Sequence, residues 1–254
     1  MHRIISTIKQ DSILNLARQG KRVDGRGIEQ YREISVERGI IKTANGSARV
    51  RIGRTQVLVG AKLQPVEPFP DMPESGTLMV NAELLPMASP TFEPGPPDEN
   101  AIELARVVDR GIRESESIDL DKLGIKSGEE AWGVFLDIHV MDHDGNLIDA
   151  SALGAIAALL DLKPPQDEKW TLPSFPVLKK PVAVTMAKID DRLLVDPCLD
   201  EENVMEARLT MTTSENGNLC AIQKGGRGCF TREELEKAYE IARAKGSELR
   251  AYLG

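Results

Sequence analysis

The segment from Ala150 to Leu162 constrains the fold more than any other part of the sequence, because it is almost wholly apolar and rich in alanine. Such a segment favours a helix, and a helix that is apolar on all sides is stable only when it is buried. Pro164 and Pro165 stop it, since proline cannot continue a helix. No run of about 18 apolar residues occurs, so a membrane span is excluded. The other elements must therefore pack around this helix.

Strand-like runs flank the apolar segment on both sides. Residues 47–52 alternate in polarity, Gly53-Arg54 makes a turn and residues 55–61 continue the pattern, which predicts a hairpin. Further strand candidates cover residues 77–84 and 133–140 before the apolar segment, and residues 182–189, 193–195, 207–213 and 219–224 after it.

Three further helices are predicted by periodicity and by capping residues. The first covers residues 3–19. The second covers residues 98–115, with Asp98 as its N-cap. The third follows a capping box formed by Thr231 and Glu234. Strands followed by helices, twice over, predict an α+β fold in which two lobes of mixed β-sheet have helices packed on one side.

The proline-rich stretch at residues 163–181 marks the expected domain boundary, since it holds five prolines and few periodic apolar residues. We therefore divide the chain into an N-terminal helix at residues 1–20, a first domain at residues 21–165 and a second domain at residues 166–254. The length of 254 residues is sufficient for two such domains.

The charge balance limits the ligands that the chain is expected to bind. Lys and Arg number 32 against 40 Asp and Glu, which leaves a formal charge of −8. Phosphate contacts need cations, so this total argues mildly against a general nucleic-acid binder and leaves room for a local basic patch. The three cysteines form no CxxC motif, and the N-terminal residues show no signal-peptide core, so we expect a cytoplasmic protein without a disulfide framework.

Three arginines fall on one stripe of the predicted helix at residues 98–115. With Arg106 set at zero, Arg110 lies at about 40° and Arg113 at about −20°, while the apolar residues lie on the opposite side. Guanidinium groups match phosphate geometry, so the stripe predicts a clamp for a phosphate backbone. The alternative is a solvated face in which Glu103 and Asp109 pair with Arg106 and Arg113 along the helix.

Two other clusters suggest ligand sites but fit structural roles better. Residues 224–228 (KGGRG) lack the glycine spacing and the following Ser or Thr of phosphate-binding loops, so we interpret them as a strand end leading into the last helix. Histidine and carboxylate side chains around residue 140 include zinc-ligand types, but few of them share a strand face, so no metal ion and no cofactor is expected. The cluster consists of His139, His143, Asp137, Asp142 and Asp144.

An acidic run in the second half of the chain leaves two interpretations open. Paired carboxylates are suited to acid–base chemistry or to magnesium, whereas a loop with solvated charge is the usual alternative. The run consists of Asp196, Asp200, Glu201, Glu202 and Glu206.

Five segments together resemble the RNase PH family. In chain order they are Arg22-Val23-Asp24-Gly25-Arg26, then Gly46-Ser47-Ala48 followed by Gly53-x-Thr55-x-Val57, the arginine helix from Glu103 to Arg113, Asp196-Pro197-x-x-Asp200-Glu201-Glu202, and Gly228-x-Phe230-Thr231-x-x-Glu234-Leu235. Each motif is modest alone, but their order and spacing over residues 20–250 are specific. The resemblance implies the RNase PH fold and a 3′→5′ exoribonuclease that uses inorganic phosphate.

The chain departs from the active members of that family at two places. They are expected to carry G-T-R-S at a helix N-terminus that holds phosphate, where this chain has Asn146-Leu147-Ile148-Asp149. We expect Asp149 to be the N-cap and to place a like charge where a phosphate would bind. Active members also carry two aspartates six residues apart, where this chain has Glu202 and Arg208, and arginine cannot act as a general acid.

These departures make the chain most similar to the non-catalytic ring subunits of the archaeal exosome. The resemblance implies a six-membered ring with three copies each of this chain and a catalytic homologue, capped by S1-domain or KH-domain subunits. It also implies that Arg106, Arg110 and Arg113 contact single-stranded RNA near the subunit interface. Two alternatives stay open: a phosphorolytic enzyme in its own right, with Asp196, Asp200 or Glu202 as the acid, and a structural ring spacer without RNA contact.

Overall fold

The computed structural model describes residues 7–254, which form two β-sheets, five α-helices and short 3-10 turns. In chain order the helices and strands are α1 Thr7–Arg18, β1 Ile34–Arg38, β2 Gly46–Ile52, β3 Thr55–Val66, β4 Thr77–Leu84, α2 Glu99–Glu114, β5 Gly124–Lys126, β6 Glu130–Asp142, α3 Leu147–Leu160, β7 Val182–Ile189, β8 Arg192–Val195, α4 Leu199–Glu202, β9 Ala207–Thr213, β10 Leu219–Gly226 and α5 Arg232–Arg250.

The first sheet has the strand order β1-β2-β3-β6-β4, and the short β5 pairs with β6. It is a mixed sheet, because β4 runs parallel to β6 while the other neighbours are antiparallel. The predicted hairpin is confirmed, with Gly53 at a positive φ of 59° in the turn between β2 and β3. Alternate residues of β3 are buried, so one face of this sheet carries the core.

The second sheet has the order β10-β9-β7-β8 and is antiparallel throughout. Here the expectation of helices on one side is wrong, since Thr212 lies against Gly111 of α2 and the adjacent Thr213 lies against Gly246 of α5. Successive strand residues point to opposite faces, so helices cover both faces of this sheet. The reason is that residues on both faces of β7 and β9 are buried, which a single helical layer would leave half exposed.

Helix α3 lies at the centre of the molecule and packs against β2, β3 and β7, and thus against both sheets. Eleven of its 14 residues are buried, as the apolar segment predicted. Gly46 lets β2 approach its C-terminal end, because a Cβ there would lie 2.3 Å from the carbonyl oxygen of Ala158. Among residues 7–254, no helix combines the length and the apolar character needed to cross a membrane.

The element bounds differ from the expected ones in several places. The central helix begins at Leu147, three residues earlier than predicted, and the strand β1 was not predicted. The first helix is confirmed from Thr7 to Arg18, while its predicted residues 3–6 lie outside the described part of the chain. The domain boundaries at residues 20 and 165 stay predictions.

The segment between α1 and β1 binds the second lobe through buried arginines. The Arg22 guanidinium is fully buried and donates to the carboxylate of Glu201 and to the carbonyl oxygens of Val195 and Asp196. Arg26 and Arg32 both donate to the carboxylate of Asp196. The Arg22–Arg26 motif therefore has a structural role, which joins the N-terminal part of the chain to the second sheet.

Candidate functional site

Helix α2 lies between the two sheets, and its sequence explains that position. Asp98 is its N-cap and accepts a hydrogen bond from the Ala101 N–H at 2.9 Å, as predicted. Its buried face contacts β4 of the first sheet and β10 of the second. That face consists of Ala101, Leu104, Ala105, Val107, Val108, Gly111 and Ile112.

The three predicted arginines lie on the outer side of α2, but they differ in their partners. Arg106 and Arg110 are exposed, and within residues 7–254 neither side chain has a hydrogen bond or an ion pair. Arg113 is half-buried and bonds Asp109 at 2.9 and 3.1 Å and the carbonyl oxygen of Leu78 on β4 at 3.1 Å. The structure therefore leaves two guanidinium groups free to bind an anion and holds the third against the first lobe.

Glu103, the other acid predicted to pair along the helix, turns instead to the second lobe. Its Oε1 accepts a hydrogen bond from Arg208 Nη2 of β9 at 2.8 Å and from Gln223 Nε2 of β10 at 3.0 Å. Burial raises the pKa of Glu103, but the charge of Arg208 and the two hydrogen bonds outweigh it and hold that pKa below its usual value. Of the two predicted intrahelical pairs, Asp109–Arg113 forms, whereas Glu103 takes a partner from another element.

A cleft of about 1260 Å³ opens at the N-terminal end of α2, between the two lobes. One wall is the proline-rich loop before α2, where Phe92 stacks on His143 with ring centroids 5.3 Å apart. Among the described residues that line the cleft, Arg208 is the one Lys or Arg side chain. The seven acidic residues of the lining are Glu83, Glu93, Asp98, Glu99, Glu103, Asp137 and Glu202. This excess of acidic over basic side chains disfavours the binding of a phosphate group.

The first turn of α3 forms part of the cleft floor, and here one expectation is wrong. Asp149 is the third residue of the helix and the N-cap is Asn146, in a left-handed conformation with φ 56°. Asp149 is buried because Tyr31 OH and the Thr185 N–H and Oγ1 hold its carboxylate inside, against β7. Burial raises its pKa to about 6, although those hydrogen bonds lower it.

Glu202 is the acid that faces this end of α3. Its Oε1 accepts a hydrogen bond from the Asn146 N–H at 2.8 Å, the place where an external anion would meet the helix terminus. Burial raises the pKa of Glu202 to about 7, against the lowering effects of the Asn146 N–H and of Arg208. An acidic side chain of the protein does occupy this helix terminus, as expected, but it is Glu202 and not Asp149.

The rest of the acidic run is engaged in internal contacts. Asp196 accepts from Arg26, Arg32 and Asn146. Burial raises its pKa, but the charge and hydrogen bonds of Arg32, with the bond from Asn146, hold that pKa below its usual value. Glu201 is paired with Arg22, and Asp200 with Lys9. Asp196, Asp200 and Glu201 thus bind the N-terminal segment to the second lobe, while Glu206 accepts a hydrogen bond from the Asp190 N–H at 3.2 Å.

The other two predicted clusters have local roles. His139 lies 3.1 Å from Glu83, and the N–H of Gly145 donates to the Nδ1 of His143 at 3.4 Å. Within residues 7–254, no group of three or more His, Cys, Asp or Glu side chains is arranged to hold a metal ion. The KGGRG stretch begins at the end of β10, which stops at Gly226 with φ 80°, and leads to α5 through the confirmed capping box.

Comparison with known proteins identifies the family. Residues 30–165 match domain 1 of the 3′ exoribonuclease family and residues 180–245 match domain 2. The chain belongs to this family, the RNase PH family, as the motifs indicated. The predicted RNase PH fold is confirmed.

Within the family, the similarity is to proteins named exosome complex component Rrp42. The chain is 53% identical to the one from Thermococcus kodakarensis, over 97% of this chain and 94% of the relative, and 50% identical to the one from Methanopyrus kandleri, over 97% and 96%. A solved structure of the Archaeoglobus fulgidus exosome with RNA bound to the active site contains a chain that is 48% identical, with a TM-score of 0.94 and coverage of 97% of this chain and 98% of that one.

Proposed function

We propose that this chain is a non-catalytic ring subunit of an exosome, in which it grips single-stranded RNA for a catalytic neighbour. The catalytic homologue removes nucleotides from the 3′ end with inorganic phosphate, and this chain completes the neighbour's site at their interface. The identity of about 50% to exosome components over nearly the whole chain supports the assignment.

The observation that supports the RNA-binding role is the presence of unpaired arginines on the exposed side of α2. Arg106 and Arg110 are exposed and unpaired within residues 7–254, while the two acids on the same side of the helix, Glu103 and Asp109, are bonded to other groups. A helix surface that keeps its arginines unpaired beside its own acids is suited to an anion from outside the chain. The pairing of Arg113 with Asp109 makes it the least available of the three predicted contacts.

The cleft supports the absence of catalysis in this chain. A phosphorolytic site must hold inorganic phosphate and a second phosphate of the RNA, and six acidic residues besides Glu202 against one arginine oppose both. Glu202 occupies the helix terminus that suits an anion, and Arg208 is paired with Glu103 and carries no transferable proton.

Binding measurements on the reconstituted ring test the RNA-binding role. In phosphate-free buffer, the Arg106→Ala/Arg110→Ala double variant is expected to bind labelled single-stranded RNA about tenfold more weakly. The slope of log affinity against log salt should fall by about 1.4, since each single-strand phosphate contact contributes about 0.7. Arg232→Ala, which removes a highly exposed arginine from α5, is the control for loss of a surface charge and should leave both quantities unchanged. Unchanged affinity and slope in the double variant would favour the structural spacer.

A second experiment tests the catalytic assignment. The purified chain, supplied with RNA and inorganic phosphate, is expected to release no nucleoside diphosphate, whereas the ring with its catalytic homologue should release it. Release by the isolated chain at the rate of the ring would establish the alternative, an enzyme that uses Glu202 or a neighbouring acid.

The assembly is part of the same proposal. We expect a cytoplasmic ring with three copies each of this chain and the catalytic homologue, and S1-domain or KH-domain subunits on one face. Native mass spectrometry of the two co-expressed chains should give a 3:3 hexamer. A different stoichiometry, or no complex, would contradict this assembly.

A further inference from the structure

Glu103 lies on α2 where it could pair with Arg106, so the contact that it makes instead decides whether Arg106 is free. Glu103 precedes Arg106 by three residues, the spacing at which opposite charges on a helix pair by default, and such a pair is worth about 0.2–0.5 kcal/mol. In the structure this pair is absent within the described residues, and Arg106 is exposed without a partner. Some other contact therefore holds the carboxylate of Glu103 away from Arg106.

That contact comes from the second sheet. Arg208 Nη2 and Gln223 Nε2 donate to the same oxygen of Glu103 at 2.8 and 3.0 Å. The ion pair is partly shielded from solvent, since the Arg208 and Glu103 side chains are 18% and 34% exposed. Screening by salt is weaker for such a pair than for a fully exposed one, so it prevails over the intrahelical alternative.

We propose that Arg208 is a positioning residue for RNA binding, which holds Glu103 and thereby leaves Arg106 free for an RNA phosphate. Arg208 contacts no RNA in this scheme and acts through Glu103. Asp109 is held by Arg113 in a comparable way, so both acids beside the free arginines are occupied. The inference rests on the RNA-binding role proposed above and adds a residue on another element to it.

The test is a double-mutant cycle in the reconstituted ring, read by RNA affinity between about 50 and about 200 mM salt. Arg208→Gln frees Glu103 to pair with Arg106 and to repel phosphate, so affinity is expected to fall about two- to fivefold at low salt. The loss should shrink at high salt because the freed carboxylate is screened. Arg208→Lys keeps the charge and should bind RNA like the unmodified ring.

The decisive arm is Arg208→Gln combined with Glu103→Gln. Removing the freed carboxylate is expected to restore affinity, which a role of Arg208 in RNA contact or in folding would not produce. Arg232→Gln changes the net charge equally at a remote place on α5 and serves as the control. An unchanged affinity in Arg208→Gln, or no recovery in the double variant, would overturn the inference.

Two further measurements separate failed assembly, and failure of the proposed function, from failure of the positioning role. If Arg208→Gln does not assemble, Glu103→Gln alone decides: binding at least as tight as in the unmodified ring supports the inference, and weaker binding contradicts it. If the Arg106→Ala/Arg110→Ala variant leaves RNA binding unchanged, the proposed function itself fails, whereas a loss there with no effect of Arg208→Gln refutes the positioning role alone.

Discussion

The buried Arg22–Glu201 pair offers the sharpest test of how the two parts of the chain hold together. Both side chains are almost fully inaccessible, at 0% and 1% exposure, and Arg22 also donates to the carbonyl oxygens of Val195 and Asp196 at 2.6 and 2.8 Å. The perturbation is Arg22→Met, which keeps an unbranched side chain of similar reach and removes the charge and all the donors.

The expected loss of unfolding free energy is about 3–5 kcal/mol, the usual effect of removing one member of a buried pair. The loss is expected because Arg22→Met would leave the Glu201 carboxylate buried without its charge partner. Arg22→Met combined with Glu201→Gln should be less damaging than Arg22→Met alone.

Urea unfolding of the purified full-length chain, followed by the fluorescence of Trp132 and Trp170, measures these changes. Arg18→Ala is the control, since its pair with Asp190 is at the surface, with Arg18 59% exposed, and its removal should change stability little. A loss below about 1 kcal/mol for Arg22→Met, or a double variant that is as damaged as Arg22→Met alone, would refute the reasoning.

Further predictions concern the cleft, the central helix and the close approach at Gly46. The folded-state pKa of Glu202 is raised to about 7 from an ordinary 4.5, so ionising this side chain lowers the stability of the fold as pH rises from 4.5 to 7. Glu202→Gln should therefore be more stable than the unmodified chain above pH 7 and equally stable below about pH 4.5, as measured by urea midpoints. An equal advantage at every pH would contradict this. Gly46→Ala should lose about 3 kcal/mol because its Cβ meets backbone atoms, whereas Gly60→Ala, with no atom within 4 Å, should change by less than about 1 kcal/mol. Leu153→Ala in the buried α3 should cost about 3 kcal/mol in the same assay, and a cost near zero would place α3 at the surface.

Local signals in the sequence predicted most of the elements. The Asp98 cap and the apolar spacing located α2, and the Thr231–Glu234 capping box located α5. Strand β1 was missed because it is short and half-exposed, with only Ile34 and Val36 partly buried, so it has little periodic signal. The early start of α3 was missed because Asp149 resembles an N-cap in the sequence, whereas the N-cap is Asn146, in a left-handed conformation, and Asp149 turns to Tyr31 and Thr185.

The candidate site was predictable in its residue types and not in its pairing. Helical geometry placed Arg106, Arg110 and Arg113 on one stripe, and it also correctly gave the Asp109–Arg113 pair, because both depend on local spacing. The bond between Glu103 and Arg208 joins residues 105 positions apart in sequence, and only the packing of α2 on the second sheet brings them together. For the same reason the turn of Asp149 toward β7 could not be read from the sequence.

The exposed charge of α2 is negative in its first turn and positive near its middle, so a polyanion would meet different charges along the helix. Its first turn, with Asp98 and Glu99, borders the acidic cleft, while Arg106 and Arg110 follow farther along. At 1.5 Å per residue, Glu99 and Arg110 are about 16 Å apart along the axis, or about twice the screening length of 8 Å at physiological salt. These charges are therefore largely screened from each other, so in the proposed role an RNA strand would be repelled at the first turn of α2 and attracted near its middle. If α2 binds RNA as proposed, the helix also orients the strand that it binds.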